Sequence, residues 1–324
     1  MLNSVPTSAA IQQPEGPRAM LAKFGAWRGS ASGSFHIDFA GMKTDPRFWP
    51  SFKPTRPGPV RISLPRFGVG YLEVLATTAS IFAAQGRYAV MELGAGWGPV
   101  GVRAVLLARR MGLQTHATFV EPMSGNQQRL ARHMAVNGLS EPVHRRVAAA
   151  IGCVDGLGWM KSKPADWLSA REIEAREVEV ALALPAGAAP AWPGNEVSLR
   201  GGQNATCVPV MTLQTLLGTA PTVNFMHMRF AGSPAKIVAG AKALQEKVHF
   251  LLIPNLPDPE LDQTSEALQE LGLRPIMAIK RGCELVEGVF SLKMEHAFGF
   301  WANPALTSAA TFDRIKADFA QLLK

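Results

Sequence analysis

The chain has 324 residues, of which 47% are hydrophobic and 18% charged, with a formal net charge of +8. That is ample for a packed core and leaves room for one large domain or two modest ones. No apolar run reaches the roughly 20 residues that span a bilayer, the stretch from Val74 to Ala84 being the nearest candidate.

Met1 to Arg18 lacks the basic start and apolar centre of a signal peptide. Cys153, Cys207 and Cys283 are odd in number and far apart, which points to neither a disulfide framework nor a zinc site. A cytoplasmic location is therefore expected. The positive charge raises the question of nucleic acid. The basic residues are scattered, however, with Arg109-Arg110 at the end of a predicted helix and Arg145-Arg146 beside a predicted strand. They form no aromatic-interleaved stripe, and a nucleic-acid partner is not expected. An anionic small substrate accounts for the charge as well.

In chain order, residues 1–34 read as a disordered tail rich in Ser, Pro, Gln and Ala. Residues 35–86 read as an irregular, Pro- and aromatic-rich cap followed by a leading helix. In that helix Leu72, Leu75, Ala76, Ala79, Phe82 and Ala83 form the apolar stripe. Tyr88 to Leu93 is a near-continuous apolar strand, the kind found in sheets buried on both faces. A helix is predicted from Pro99 to Met111, with Pro in its first turn and Gly112 past its end. Thr115 to Val120 is a second strand, Ser124 to Val136 a second helix and Val143 to Ile151 a third strand.

Residues 155–206 break this rhythm and read as an insertion, a lid or side wall, with a strand at Glu177 to Leu184 and a linker from Pro185 to Pro193. The alternation resumes with strands at Val223 to Phe230 and Val248 to Ile253 and helices at Pro234 to Gln245 and Asp258 to Leu271. Two last strand candidates lie around Ile276 and Phe290. The alternation predicts one Rossmann-like α/β domain over 87–324, a doubly wound and mostly parallel sheet with helices on both faces.

The chemistry concentrates at Val90-Met91-Glu92-Leu93-Gly94-Ala95-Gly96-Trp97-Gly98. A buried strand runs into an acid, three alternating glycines and a helix start. Glycines at such a turn let the backbone bend sharply and approach a ligand closely. The next strand ends at Glu121, at roughly the spacing of the ribose-binding acid in dinucleotide folds. Both carboxylates fall at strand carboxyl ends, where ligands of open α/β sheets bind. A nucleoside-bearing cofactor is the first reading. A phosphate loop with Lys, a Gly-x-Ser-x-Gly elbow and paired carboxylates for glycoside cleavage are absent from the sequence.

The Glu92–Gly98 stretch resembles the first motif of the Rossmann-like S-adenosylmethionine-dependent methyltransferases. More narrowly, the chain is similar to the FkbM-type enzymes over roughly 35–295. Phe67 to Gln85 resembles the family's leading helix. Arg146 to Gly156 resembles its third strand and turn, and Val208 to Leu213 with Val223 to Gly240 its fourth-strand region.

The resemblance implies S-adenosyl-L-methionine as cofactor and a small-molecule or glycan-like hydroxyl as acceptor. It places Gly94, Ala95, Gly96, Trp97 and Gly98 along the methionine portion, with Glu92 beneath the methionine ammonium. It places Glu121 and Pro122 at the ribose and the backbone near Ala150 beside the adenine. Where the family has Asp followed by Glu-Gly after the fourth strand, this chain has Arg229, then Ala231-Gly232. Arginine is neither a base nor a metal ligand, so metal-independent chemistry is expected. Arg229 is then a candidate to pin an anionic acceptor, and His227, two residues earlier on the same strand face, a candidate proton acceptor. Two alternatives stand beside this reading. One is a methyltransferase-fold protein that has lost catalysis and serves as a cofactor- or partner-binding module. The other is a nicotinamide-dependent dehydrogenase, which shares the glycine turn but wants a glycine where Pro99 stands. The sequence leaves the oligomeric state open.

Overall fold

The computed structural model describes residues 16–68, 70–162, 193–194, 196–199, 203–229 and 233–323. Its centre is a seven-stranded sheet. Four strands come from the first half of the chain's Rossmann-like region: β5 (Arg87–Leu93), β6 (Gln114–Val120), β7 (His144–Val147) and, after a long excursion, β12 (Val223–Met228). Three more complete it: β13 (Val248–Leu256), β14 (Arg274–Ile279) and β17 (Ala297–Ala302). Their spatial order is β14-β17-β13-β12-β5-β6-β7. All neighbouring pairs from β13 to β7 are parallel, and β17 runs antiparallel between β13 and β14. Every residue of Tyr88–Leu93 is buried, as the unbroken apolar run demands of a strand covered on both faces.

Helices cover both faces. One core packs α2 (Tyr71–Ala83), α3 (Pro99–Arg110) and the C-terminal α9 (Ala309–Ala320) against Tyr88, Val90, Phe225, Phe250 and Phe300. The other packs α5 (Leu213–Gly218), α6 (Pro234–Val238), α7 (Lys242–Lys247) and α8 (Asp258–Glu270) against Met91, Leu93, Met226, Leu251 and Trp301. The helix expected over Pro234 to Gln245 is thus two short helices. Gly240, at φ 72, sits between them in the left-handed region that favours glycine. Helix α4 (Ser124–Val136) has the bounds that its sequence gives.

Several expectations need correction. The part of the supposed tail that is described is structured. Helix α1 (Pro17–Ala22) and strand β1 (Trp27–Ala31) precede the cap, and Met20, Leu21 and Phe24 are buried in the core. The Gly16 N–H donates to Asp318 of α9, which ties this segment to the far end of the chain. The cap is irregular but not without pairing. β1 pairs with β4 (Gly58–Ile62), and β2 (His36–Ile37) pairs with β3 (Lys43–Thr44).

The strand expected around Phe290 is not in the central sheet. Instead β15 (Glu284–Glu287) and β16 (Phe290–Lys293) form a surface hairpin with Phe290 exposed. The missing sheet strand is β17, a six-residue run in which every position is buried. Gly299 within it has no room for a Cβ, which would meet the Trp301 ring at 1.8 Å.

The predicted third strand is split. β7 stays in the central sheet, whereas β8 (Ala150–Ile151) leaves it to pair with β11 (Gln203–Met211). β11 also pairs with β9 (Gly156–Ser162) and β10 (Glu196–Leu199), so the described part of the insertion is a small antiparallel sheet attached beside the third strand. The strand expected at Glu177 to Leu184 lies outside the described residues, as do Ala231 and Gly232.

Candidate functional site

The register of the sheet brings the predicted residues together. His227 on β12 pairs with Glu92 on β5, and Glu92 with Phe119 on β6. The glycine turn leaves the end of β5 and hangs on the last carbonyl of β6: Gly94 N–H and Ala95 N–H both donate to Val120 O, at 2.9 and 3.0 Å. Arg229 N–H donates to Leu93 O at 2.9 Å, which fixes the end of β12 against the start of the same turn. Gly94, Gly96 and Gly98 have φ of 70, 57 and 78, so the alternating glycines answer a backbone requirement rather than a spatial one alone. They differ in surroundings. A Cβ on Gly96 would meet nothing within 4 Å, whereas one on Gly98 would strike Leu130 at 2.7 Å and Phe119 at 3.2 Å. Gly96 therefore borders open space, and Gly98 seats α3 against β6 and α4.

Glu121 is 4% exposed, and its carboxylate is bonded to the turn. Oε2 accepts from Gly96 N–H at 2.8 Å. Oε1 accepts from Met123 N–H at 2.9 Å and from the Asn126 amide at 3.2 Å. A carboxylate offers about four acceptor positions, so one remains, on the oxygen beside Gly96. Burial pushes the Glu121 carboxyl above its usual range against these three bonds. Gln127 stiffens the same corner by donating to Glu121 O at 2.6 Å and Val147 O at 3.1 Å. Pro122 is half-buried at the same strand end. Ala150 is buried in β8 opposite Val210.

Glu92 is placed differently from its expected role beneath an ammonium. It is 2% exposed, and its oxygens accept from Val100 N–H at 3.3 Å and Gly101 N–H at 2.7 Å. The side chain serves the N-terminus of α3, whose orphan donors and dipole favour a carboxylate. Burial raises its pKa to about 8, the two N–H bonds lower it, and the charge of Glu73 raises it further. Gly101 makes this possible. A Cβ there would meet the Phe119 ring at 2.5 Å and Glu92 Oε2 at 2.9 Å.

Trp97 also turns inward. Its ring packs with Phe48, Phe52 and His133 at centroid separations of 5.8, 6.2 and 4.9 Å. His133 is buried and held neutral, its pKa lowered by desolvation to about 4. Its Nδ1–H donates to Trp97 O at 2.8 Å, which leaves Nε2 to accept from the Thr44 hydroxyl at 3.3 Å. This cluster locks the cap onto the turn. The Asp38 carboxylate locks it a second time, accepting from Ala40 N–H, Met42 N–H and Arg103 Nε at 2.9, 3.0 and 2.8 Å.

The corner at the end of β12 holds an unusual set. His227 is 1% exposed, and neither ring nitrogen has a hydrogen-bond partner among the described residues. Burial, reinforced by the charge of Arg229, takes its pKa down to about 3, so it is a weak proton acceptor at neutral pH. Glu73, on the first turn of α2, brings Oε2 to 4.0 Å from His227 Nε2. Arg229 is exposed, and among the described residues its side chain makes no hydrogen bond or ion pair. Glu73 and Arg229 are within electrostatic range of each other. Asp38 in the cap is committed to Arg103. Among the described residues no three His, Cys, Asp or Glu side chains gather as a metal-ligand set.

Gly101, Asn126 and His133 were not legible as site residues, and Glu73 was legible only as an acid on the leading helix that could face Arg229. A single acid on a helical stripe and a glycine in a first turn carry no pattern of their own.

No protein-family profile matches the chain, and a search of curated proteins finds none similar. Solved structures with a comparable arrangement include a precorrin-6Y C5,15-methyltransferase from Geobacter metallireducens. It is 9% identical with a TM-score of 0.38, over 71% of this chain and 86% of that one. Another is the SAM-dependent methyltransferase from Agrobacterium tumefaciens, 10% identical with a TM-score of 0.36, over 86% and 70%. A third is a putative RNA methyltransferase from Pyrococcus horikoshii, 11% identical with a TM-score of 0.36, over 73% and 86%. Likeness this remote does not carry a function.

Proposed function

We propose that the chain binds S-adenosyl-L-methionine beside Gly94–Gly98 and transfers its methyl group, without a metal ion, to the hydroxyl of a small-molecule or glycan-like acceptor. The observation that carries the reading is the junction of Glu121 with Gly96. A carboxylate at the end of the second strand bonds the N–H of a left-handed glycine that borders open space, and among the described residues it keeps one acceptor position free. That fits a ribose hydroxyl approaching over the turn. Ala150, buried on the strand that leaves the sheet, is the candidate to flank the base.

When bound, the cofactor supplies an electrophilic methyl group on a sulfonium centre. The chain's own work is alignment. Holding two reactants in line contributes on the order of 7 kcal/mol or more, while a general base typically adds about 10²–10⁴-fold. Arg229, exposed and unpaired among the described residues, is free to hold a carboxylate or phosphate of the acceptor. The narrower FkbM-type likeness rests on the sequence stretches alone.

The replacement of the family's acid by Arg229, beside a histidine held neutral, favours a second reading in which the protein binds the cofactor but does not turn it over. The dehydrogenase reading loses support. The dinucleotide fold is ordered 3-2-1-4-5-6 without an antiparallel strand between its last two, whereas β17 lies antiparallel between β13 and β14.

Calorimetric titration with S-adenosylhomocysteine tests the proposal. Binding to the native protein and its loss in Gly96→Val, with an unchanged far-ultraviolet spectrum, are expected. No heat from either cofactor form at millimolar concentration would overturn it.

A further inference from the structure

We infer that Glu73, rather than His227, takes the proton of the acceptor hydroxyl during methyl transfer. The inference rests on the methyltransferase reading and deepens it. His227 lies under the strand end with both nitrogens enclosed and without partners among the described residues. Glu73 stands beside it on a different element. Its side chain is 17% exposed, so it is screened from bulk water yet open to a ligand. Among the described residues its carboxylate accepts no hydrogen bond, and Oε2 lies 4.0 Å from His227 Nε2. A half-buried carboxylate with no protein donor keeps its acceptor positions open, and a hydroxyl entering from the open side can donate to it.

The charges facing Glu73 come from every element around it. His227 and Arg229 belong to β12, Arg103 to α3 and Glu92 to β5. Arg229 and Arg103 favour the carboxylate, burial opposes it more strongly, and the net shift is upward, toward the range in which a carboxylate is an effective base near neutrality. The step balances without a further reagent. Glu73 takes the hydroxyl proton while the acceptor oxygen forms its bond to the methyl carbon. The carbon–sulfur bond breaks with its electron pair left on sulfur, so the positive charge of the sulfonium ends as a proton on Glu73. Arg229, within electrostatic range of Glu73, holds the acceptor's anionic group.

Sinefungin tests this without knowledge of the acceptor. This cofactor analogue carries an amino group where the transferable methyl would stand. A carboxylate poised at that point binds the ammonium. Sinefungin should therefore bind the native protein at least about tenfold more tightly than S-adenosylhomocysteine does, since a hydrogen bond to a charged group is of that order. In Glu73→Gln the advantage should vanish while S-adenosylhomocysteine affinity and melting temperature hold. In Glu73→Asp, which keeps the charge, part of it should return. If both ligands bind and the preference is absent, or survives in Glu73→Gln, the inference is overturned and the cofactor-binding proposal stands. If neither ligand binds the native protein, that proposal fails and takes the inference with it.

Discussion

Two glycine-to-alanine substitutions that look alike in sequence should have opposite signs. Gly101 and Gly125 both lie in the first turn of a helix, α3 and α4. At Gly125 an added Cβ meets nothing within 4 Å. Alanine there gains helix propensity, so Gly125→Ala should stabilise the protein by about 0.5–1 kcal/mol. At Gly101 the Cβ would lie 2.5 Å from Phe119 Cε1 and 2.9 Å from Glu92 Oε2. The ring is fully buried between α3 and β6, so it has nowhere to retreat. Overpacking of this kind costs about 1–3 kcal/mol. Displacing the Glu92 carboxyl from the Gly101 N–H, a 2.7 Å bond, sacrifices a hydrogen bond of about 0.5–1.5 kcal/mol, since the group is largely neutral at pH 7. Helix propensity returns about 1 kcal/mol. The net expectation for Gly101→Ala is a loss of about 1–3 kcal/mol. Urea denaturation of the three proteins side by side, monitored by circular dichroism, measures both effects. A Gly101→Ala protein as stable as the native one would refute the claim that α3 is seated on β5 and Glu92 through this glycine.

The buried charges set further outcomes. Glu92, with its folded pKa raised to about 8, adds stability that is fully present below the unfolded carboxyl value and is lost as pH rises through 8. His227, with its pKa lowered to about 3, acts in the opposite sense, its penalty growing as pH falls below the unfolded histidine value near 6.5. Melting temperature should thus decline between about pH 6.5 and 8.5, and Glu92→Gln should flatten that decline; parallel curves for the two proteins would count against it. Arg229→Ala should stay folded with stability within about 0.5 kcal/mol of native, as an exposed side chain outside any ion pair among the described residues should. A loss of several kcal/mol in a melt would show that Arg229 is structural. Treatment with a chelator should leave S-adenosylhomocysteine affinity unchanged in calorimetry, and binding restored only by magnesium would contradict that.

Most of the fold was legible because the central strands are buried on both faces and their helices are amphipathic. Tyr88–Leu93 and Thr115–Val120 declare themselves by composition, and Pro99, Gly112 and Gly138 mark the helix bounds between and beyond them. Tertiary pairing set the elements that escaped. Ala297–Ala302 is a short apolar run after a hairpin, and only its partners on β13 and β14 make it a sheet strand. Residues 17–31 have a tail-like composition, yet Met20, Leu21 and Phe24 find a core and Gly16 a carboxylate three hundred positions away. In the site, the glycine turn and Glu121 could be read because strand ends and spacing constrain them. Glu92 was visible as an acid at a strand end, but its direction was not. The backbone donors it faces are created by the helix start that Gly101 permits. Glu73 and His227 meet only because α2 crosses the end of β12, which no local pattern records.

The central claim is a place as well as a ligand, and amide chemical-shift mapping of the isotopically labelled protein tests both together. On adding S-adenosylhomocysteine, the largest shifts are expected at the Gly94, Ala95 and Gly96 amides, at Glu121 and Met123, and around Ala150. Gly125 and the exposed hairpin near Phe290 should stay unmoved. Saturable shifts confined to any other face, or none at millimolar ligand, would contradict the account.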